Sequence, residues 1–270
     1  MSHSAISLGL GLGGGKSATS SGAPGGGGTP FENLLSAEFD GTNDYAIIPA
    51  DGTSSGGILN STDADVDMTI SMWLKPLATS SGTGIEIFQW ADTLSSGTPF
   101  LNASTTRVYI NGGFRHTFQS GEINDSAWNN LVLTRTASDN SWRGFVAGNG
   151  SPIFTYDDGG SLAHRANADD IYLANLYFGY GNIGLDEVAL WNTNQGSNVA
   201  TIYNSGVPGD LSSLSPVGWW RMGDGTGDVN ASGGTPANGG AIGTIVNQGS
   251  GSSINATGQN GPTFSNSVPS

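Results

Sequence analysis

The chain has 270 residues, enough for one large β-domain or two small ones, and its 44 glycines favour turns and sheet edges because glycine destabilises helix interiors. Acidic residues outnumber basic ones 22 to 8, and the net charge of −14 argues against nucleic-acid binding and against anionic lipid surfaces. The absence of cysteine excludes disulfides and thiolate chemistry, and no run approaches the roughly 20 apolar residues of a membrane span, so no membrane insertion is expected.

Residues 1–30 are predicted to form an arm ahead of the folded domain. Ile6, Leu8, Leu10 and Leu12 alternate with serine and glycine, a period of two that is typical of a thin strand. The glycine- and serine-rich run that follows cannot offset its own ordering entropy, which predicts a flexible linker when the chain is alone. We expect the four apolar side chains to fill alternate pockets of a larger assembly, to which the arm adds as a strand.

Residues 31–222 are predicted to form an antiparallel β-sandwich, because short apolar runs alternate there with turn clusters. The clearest local signal is a hairpin around Asn111-Gly112, since Asn-Gly supplies the two positive φ values of a type I′ turn. It joins strands at 107–110 and 113–118. Further strands are predicted at 68–74, 85–90, 131–135, 142–146, 171–173, 176–178, 185–191 and 217–222.

One helix is predicted at residues 198–204. Ser197 would be its N-cap, and Gly206 would be the left-handed residue that follows its end. Residues 223–270 are rich in glycine, asparagine and serine, and they are predicted to form a C-terminal extension that packs on the sandwich as short strands and loops.

Five segments, in this order along the chain, resemble laminin-G-like domains, a concanavalin-type jelly-roll family. They are Ser36–Tyr45, Thr69–Pro76, Trp128–Thr134, Gly184–Trp191 and Leu211–Asp224. The resemblance implies an all-β fold of two antiparallel sheets packed face to face. It also implies that Trp73, Trp128 and Leu190 are buried between the two sheets.

The same resemblance implies a calcium ion near the rim of a sheet. Asp40, Asp44 and Asp186 lie in the matching segments and offer the hard oxygen ligands that Ca²⁺ prefers. A structural role stays open for these residues, because Asp40 in Asp-Gly-Thr-Asn is an ordinary turn former and Asp186 could bond backbone amides at a strand edge.

The Leu-Gly repeat of the arm and the closing segment Asn-Gly-Pro-Thr-Phe-Ser at 260–265 resemble structural proteins of tailed phages. This resemblance implies a component of a capsid, tail or fibre, displayed on the surface of the virion. We therefore predict a non-catalytic virion structural protein that is anchored to other virion proteins through its arm, forms a homo-oligomer and has surface glycans as a further ligand. The alternative is a carbohydrate-binding adhesin or lectin domain of a cell-surface protein.

A glycoside hydrolase is the catalytic alternative, because concanavalin-type sandwiches also host such enzymes. It would need two carboxylates about 5–10 Å apart. Glu86 has no acidic partner along its strand, and the adjacent residues Asp186 and Glu187 are expected to point to opposite faces. The sequence thus predicts no catalytic residue.

Sugar binding would require exposed aromatic side chains on a sheet, although aromatic residues of a sandwich belong more often to its core. The candidates are Trp90, Tyr109, Trp142, Tyr172, Tyr177, Tyr180 and Trp191. The sequence alone does not single out a glycan pocket among them.

Overall fold

Two antiparallel sheets face each other in the computed structural model, which describes residues 31–49, 66–78, 84–91, 101–110, 112–160, 170–176, 179–251 and 254–270. The back sheet has eight strands: β1 (Ser36–Asp40), β3 (Met68–Pro76), β8 (Asn129–Thr136), β9 (Ser141–Val146), β10 (Phe154–Asp157), β14 (Asn182–Trp191), β15 (Gly218–Trp220) and β19 (Thr263–Ser265). The front sheet has nine strands: β2 (Tyr45–Ile48), β4 (Glu86–Ala91), β5 (Leu101–Ser104), β6 (Arg107–Ile110), β7 (Gly113–Thr117), β11 (Asp170–Leu173), β16 (Val229–Asn230), β17 (Ile242–Ile245) and β18 (Ala256–Gln259).

The strand order within each sheet does not follow the chain. The back sheet runs β10-β9-β8-β3-β14-β1-β19, with β15 beside β14, and the front sheet runs β16-β17-β18-β2-β11-β4-β5-β6-β7. A separate two-stranded ladder is formed by β12 (Asn175–Leu176) and β13 (Gly179–Tyr180). Successive strands thus cross between the layers, which confirms the predicted all-β jelly-roll sandwich.

The predicted hairpin is also confirmed, because β6 and β7 pair as antiparallel neighbours at one edge of the front sheet. Gly112 has a φ of +67°, in the left-handed region that its turn position requires. Asn111, the other turn residue, lies outside the described residues.

The main core lies between the sheets, and strand alternation decides which side chains enter it. Met72 and Leu74 of β3 point inward, and so does Leu190 of β14. Trp73 therefore points outward, where its ring stacks on that of Tyr203 with the centroids 5.5 Å apart.

The expectation that Trp73 and Trp128 lie between the sheets is wrong. Trp128 packs over Gly184 on the outer side of the back sheet, where a Cβ on Gly184 would stand 3.2 Å from the indole ring. The alternation of β14 places Gly184 on that side, because its neighbours Ile183 and Leu185 are both in the core.

The outer side of the back sheet is covered by the helix α1 (Val199–Tyr203), which contributes Val199 and Ile202 to a second buried cluster with Trp219. Three-residue 3-10 turns at 196–198 and 204–206 flank this helix. The helix lies where the sequence predicts it, but its capping residues differ from the predicted ones. Asn198 is the N-cap residue in place of Ser197 and makes no side-chain capping bond, and Asn204, with a φ of 45°, is the left-handed residue at the C-terminal end.

Residues 223–270 contribute strands to both sheets. β16, β17 and β18 extend the front sheet beyond β2, and β19 pairs with β1 at the edge of the back sheet. Ile245 and Phe264 of this segment are buried in the main core. This segment is therefore part of the sandwich itself.

The predicted arm, with Ile6, Leu8, Leu10 and Leu12, lies outside the described residues, so its anchoring role stays a prediction. In the part of the chain that the structure describes, no helix has the length and apolar character needed to cross a bilayer.

A buried ion pair joins β8 to the residue that follows β10. Nε of Arg135 donates to Oδ2 of Asp158 at 2.7 Å, and Nε1 of Trp142 donates to the same oxygen at 2.9 Å. Both charged side chains are fully buried. Removing the Asp158 carboxylate would take a buried counter-ion away from the Arg135 cation.

We predict that Asp158→Asn lowers the free energy of unfolding by about 3 kcal/mol, because the ion pair that Asp158 forms with the buried Arg135 cation is lost. Chemical denaturation measures the change. The matched control is Asp157→Asn, since Asp157 is exposed and its carboxylate accepts a bond from the Gly159 amide. Equal losses in the two variants would contradict the prediction.

Candidate functional site

A row of aromatic and polar side chains crosses the outer side of the front sheet, here called the front face. Directly opposed residues on neighbouring antiparallel strands share a side of the sheet, so the strand register defines the row. Its members, from β2 to β7, are Ile47, Tyr172, Gln89, Asn102, Tyr109 and Phe114. These residues come from six strands, of which β2 and β11 are distant in the sequence from the consecutive strands β4 to β7.

The next residue along each strand points into the core, which fixes the orientation of the row. Ile171, Trp90, Leu101 and Ile110 oppose one another in the same register and all belong to the main core. Trp90, which the sequence offered as a sugar-binding candidate, is therefore a packing residue. Trp142 and Trp191 are also fully buried.

Tyr109 and Tyr180 remain as candidates, whereas Tyr172 lies in the row but is only 7% exposed. Tyr177 lies outside the described residues. The structure adds Tyr45 and Phe114, which the sequence did not single out. Register across the Asn-Gly hairpin would have placed Phe114 beside Tyr109.

The two ends of the front face carry exposed aromatic rings. Phe114 is 50% exposed, and its ring meets that of Tyr109 edge-on at 5.9 Å. At the other end Tyr180 is 38% exposed, and the centre of its ring lies 6.3 Å from that of Tyr45. The centre of the Tyr45 ring in turn lies 6.3 Å from that of Tyr172. With neighbouring strands about 4.8 Å apart, β7 and β2 are separated by roughly 24 Å along the sheet. We call these the Phe114 end and the Tyr180 end.

The middle of the row is buried and polar. Gln89 is fully buried, and Asn102 is 6% exposed with no hydrogen-bond partner for its Oδ1. Burying a carbonyl oxygen without a hydrogen-bond partner costs free energy, so Asn102 destabilises the folded state at this position. The exposed surface of the front face is thus concentrated at its ends.

Arg107 lies at the Phe114 end. Its Nη1 donates to the Tyr109 hydroxyl at 3.3 Å, and its Cζ lies 5.9 Å from the centre of the Phe114 ring. A guanidinium over an aromatic face is attracted by the electron-rich ring, so these contacts hold the cation beside the exposed phenyl group.

Glu86 opposes Ser104 on the same side of the front sheet. It is almost fully buried, its Oε2 has no hydrogen-bond partner, and burial raises the pKa of its carboxyl group to about 8. Burial is the cause of this shift, with no contribution from a neighbouring carboxylate. The described part of the chain therefore shows no second carboxylate of the kind that a glycoside hydrolase would place beside Glu86.

Asp40 and Asp44, two of the three predicted calcium ligands, lie together. They line a cavity of about 430 Å³ between the end of β1 and the start of β2, and the other lining residues are Glu38, Phe39, Leu77, Asn182, Gly261 and Thr263. Asp40 accepts a bond from the Thr42 amide at 2.7 Å, as a turn-forming aspartate does. Burial, and then the charge of Asp40, raises the pKa of Asp44.

Asp186 does not join them. It lies four residues along β14 from Asn182, the partner of Asp40, which corresponds to roughly 13 Å of extended strand. No group of three or more histidine, aspartate or glutamate side chains among the described residues could hold a metal ion. A calcium site built from all three aspartates is therefore not formed, and calcium binding stays a prediction for Asp40 and Asp44.

Asp186 and Glu187 belong instead to a buried network on the outer side of the back sheet. Asn33 donates to Asp186 at 2.9 Å, while Glu187 accepts bonds from the Trp219 indole and from Nε of Arg221, the latter at 3.1 Å. The expectation that the two carboxylates point to opposite faces is wrong. A bulge in β14, where Glu187 has a φ of 47°, interrupts the alternation and brings both into contact with this network.

Burial is the main cause that raises the pKa of Asp186 well above its usual value, and the charge of Glu187 adds to it. The pKa of Glu187 is also raised by burial, although Arg221 and the Trp219 indole oppose the shift.

The network also fixes residues 31–35, here called the strap. Oδ2 of Asp224 accepts bonds from the amides of Leu34 and Leu35 at 2.7 and 3.0 Å, and Arg221 donates to the carbonyl of Glu32. The guanidinium of Arg221 lies 4.2 Å from the centre of the Phe31 ring. The folded domain therefore begins at a defined place on the outer side of the back sheet.

No model of a protein family matches the chain, and no curated protein matches its sequence. Among solved structures, a candidate carbohydrate-binding protein from Bacteroides ovatus is 16% identical over 89% of this chain, with a TM-score of 0.56; the chain spans 62% of that protein's length. A heptameric pentraxin from Limulus polyphemus is 15% identical over 63% of this chain and 82% of its own, with a TM-score of 0.43. The likeness to the Bacteroides protein shows the fold alone.

We predict that Glu86→Gln stabilises the protein at alkaline pH. The unfolded carboxyl titrates near 4.5 and the folded one at about 8, so the native state loses stability as the pH rises between these values. The variant should exceed the parent by about 2–4 kcal/mol at pH 9 and match it at pH 4. Urea unfolding at both pH values measures this, and a difference that does not depend on pH would contradict it.

Proposed function

We propose that the chain is a carbohydrate-binding domain and that its front face contacts the glycan. The observation that carries this proposal is the cross-strand row from Tyr172 to Phe114. The exposed ring of Phe114 closes one end, and the exposed ring of Tyr180 lies near the other end, linked to Tyr172 through Tyr45. It corresponds to the lectin alternative that the sequence left open. The likeness to the Bacteroides protein agrees with the fold that this function would use.

Aromatic rings are suited to this role because their flat apolar faces pack against the C–H groups of a sugar ring, while hydroxyl and amide groups nearby bond its oxygens. The rings of the front face are carried by paired strands, so little side-chain freedom is lost on binding. Tyr45, Tyr172 and Tyr180 form a continuous aromatic surface at one end, and Tyr109 with Phe114 forms the other.

We predict that the full chain binds specific saccharides on a glycan array and that Phe114→Ala or Tyr180→Ala weakens this binding about ten-fold, equivalent to about 1.4 kcal/mol. Both side chains are exposed, so their removal should leave the fold intact, which circular dichroism would check. Val207→Ala is the matched control, because Val207 is an exposed apolar residue at 41% beyond helix α1.

An array with no specific signal would overturn the proposal. Binding that Val207→Ala weakens as much as the front-face variants would place the glycan elsewhere on the molecule.

A glycoside hydrolase is supported less well than a binding domain. Glu86 is buried without a carboxylate neighbour that shifts its pKa, and the Asp186–Glu187 pair is engaged by Asn33, Trp219 and Arg221. All three carboxyl groups are buried, so a sugar substrate would not reach them.

A role in virion assembly is a second proposal, and the strap is the observation that favours it. Arg221 and Asp224 hold residues 31–35 on the outer side of the back sheet, and the glycan-binding surface proposed above lies on the opposite side of the sandwich. The residues that directly follow the proposed arm are thus held on the side of the sandwich opposite the front face.

We predict that removing residues 1–28 leaves the thermal unfolding temperature unchanged and abolishes co-sedimentation with particles of the parent phage. A full-length variant with serine at positions 6, 8, 10 and 12 should behave in the same way, because the apolar side chains fill the proposed pockets. Unchanged co-sedimentation of either protein would refute the anchoring role of the arm.

A further inference from the structure

We propose that the Phe114 end of the front face binds an acidic saccharide, with the guanidinium of Arg107 pairing with a carboxylate or sulfate group of the sugar. This inference rests on the proposed carbohydrate-binding function and names the ligand class for one end of the face.

Arg107 differs from most arginines of the described residues in having no carboxylate partner. Three arginines form ion pairs: Arg135 with Asp158, Arg143 with Asp139, and Arg221 with Glu187. Among the described arginines, only Arg107 and Arg115 form no such pair. Arg115 lies over the Tyr156 ring at 4.1 Å, between the edge strands of the two sheets, so Arg107 is the unpaired arginine of the front face.

The contacts of Arg107 orient its guanidinium and leave several of its N–H hydrogen-bond donors available. One N–H donates to the Tyr109 hydroxyl, and the ring of Phe114 lies beside the cation. A guanidinium has five N–H donors in a planar fork that matches a carboxylate or sulfate group. A sugar ring that packs on the exposed Phe114 would therefore bring an acidic substituent within reach of the remaining donors.

Glu86, the carboxyl group in register with Arg107 on this side of the sheet, does not neutralise it. Glu86 lies across Ser104 from it, roughly 10 Å away at two strand spacings. Because burial raises the pKa of Glu86 to about 8, its carboxyl group is mostly protonated at neutral pH. The Phe114 end thus keeps a local positive charge in a protein whose formal net charge is −14.

The test compares polymers that differ in charge and share a sugar backbone. The carboxylate pair is polygalacturonate against its full methyl ester, and the sulfate pair is dextran sulfate against dextran. Titration calorimetry with the full chain at pH 7 and low salt should show at least about ten-fold tighter binding to the charged member of one pair, and added salt should reduce this preference.

Variants assign the preference to Arg107. Arg107→Gln should remove the difference within the pair, while Arg107→Lys should retain part of it because the charge remains. Arg143→Gln is the matched control, since Arg143 is a partly exposed arginine of the back sheet, and it should leave the preference unchanged.

Equal binding to charged and neutral polymers, or a preference that survives Arg107→Gln, would overturn the inference. If Phe114→Ala still weakens binding to neutral glycans in that case, the carbohydrate-binding function stands without it. Failure to bind any of the four polymers would also overturn the acidic-saccharide assignment, while the glycan array decides the wider function separately.

Discussion

The apolar contact between the two sheets is the constraint from which the rest of the structure follows. Side chains alternate along a strand, so each residue that enters the core sends its neighbours to the outside. Burial of Met72 and Leu74 places Trp73 on the outer side of the back sheet. In the same way, burial of Trp90 and Leu101 places Gln89 and Asn102 on the front face.

The two outer sides of the sandwich are used differently. On the back sheet, helix α1 and the strap cover a second apolar cluster, and Trp219 and Trp191 are buried there. On the front sheet, Phe114 and Tyr180 remain exposed at the ends of the aromatic row. Among the residues that the structure describes, these two are the exposed aromatic side chains, and both belong to the front side.

Burial also changes which carboxyl groups of this protein are ionised. The formal charge of −14 counts every carboxyl group as ionised. Burial raises the pKa of Glu86 to about 8 and raises the pKa of Asp186 well above its usual value, so both carboxyl groups keep their protons to a higher pH than exposed ones. Arg221 compensates Glu187, whereas Arg107 has aromatic neighbours and no counter-ion among the described residues. The local electrostatics of the front face therefore differ from those of the whole chain.

The sequence by itself determined the all-β class, the hairpin at Gly112 and the alternating faces of single strands such as β3, because these depend on contacts within a few residues. Only the tertiary structure decided which strands become neighbours. Tyr172 lies beside Gln89, and Glu187 turns at a bulge towards Trp219, through pairings between residues far apart in the chain. No local pattern encodes that register, since it is fixed by how the two sheets pack as a whole.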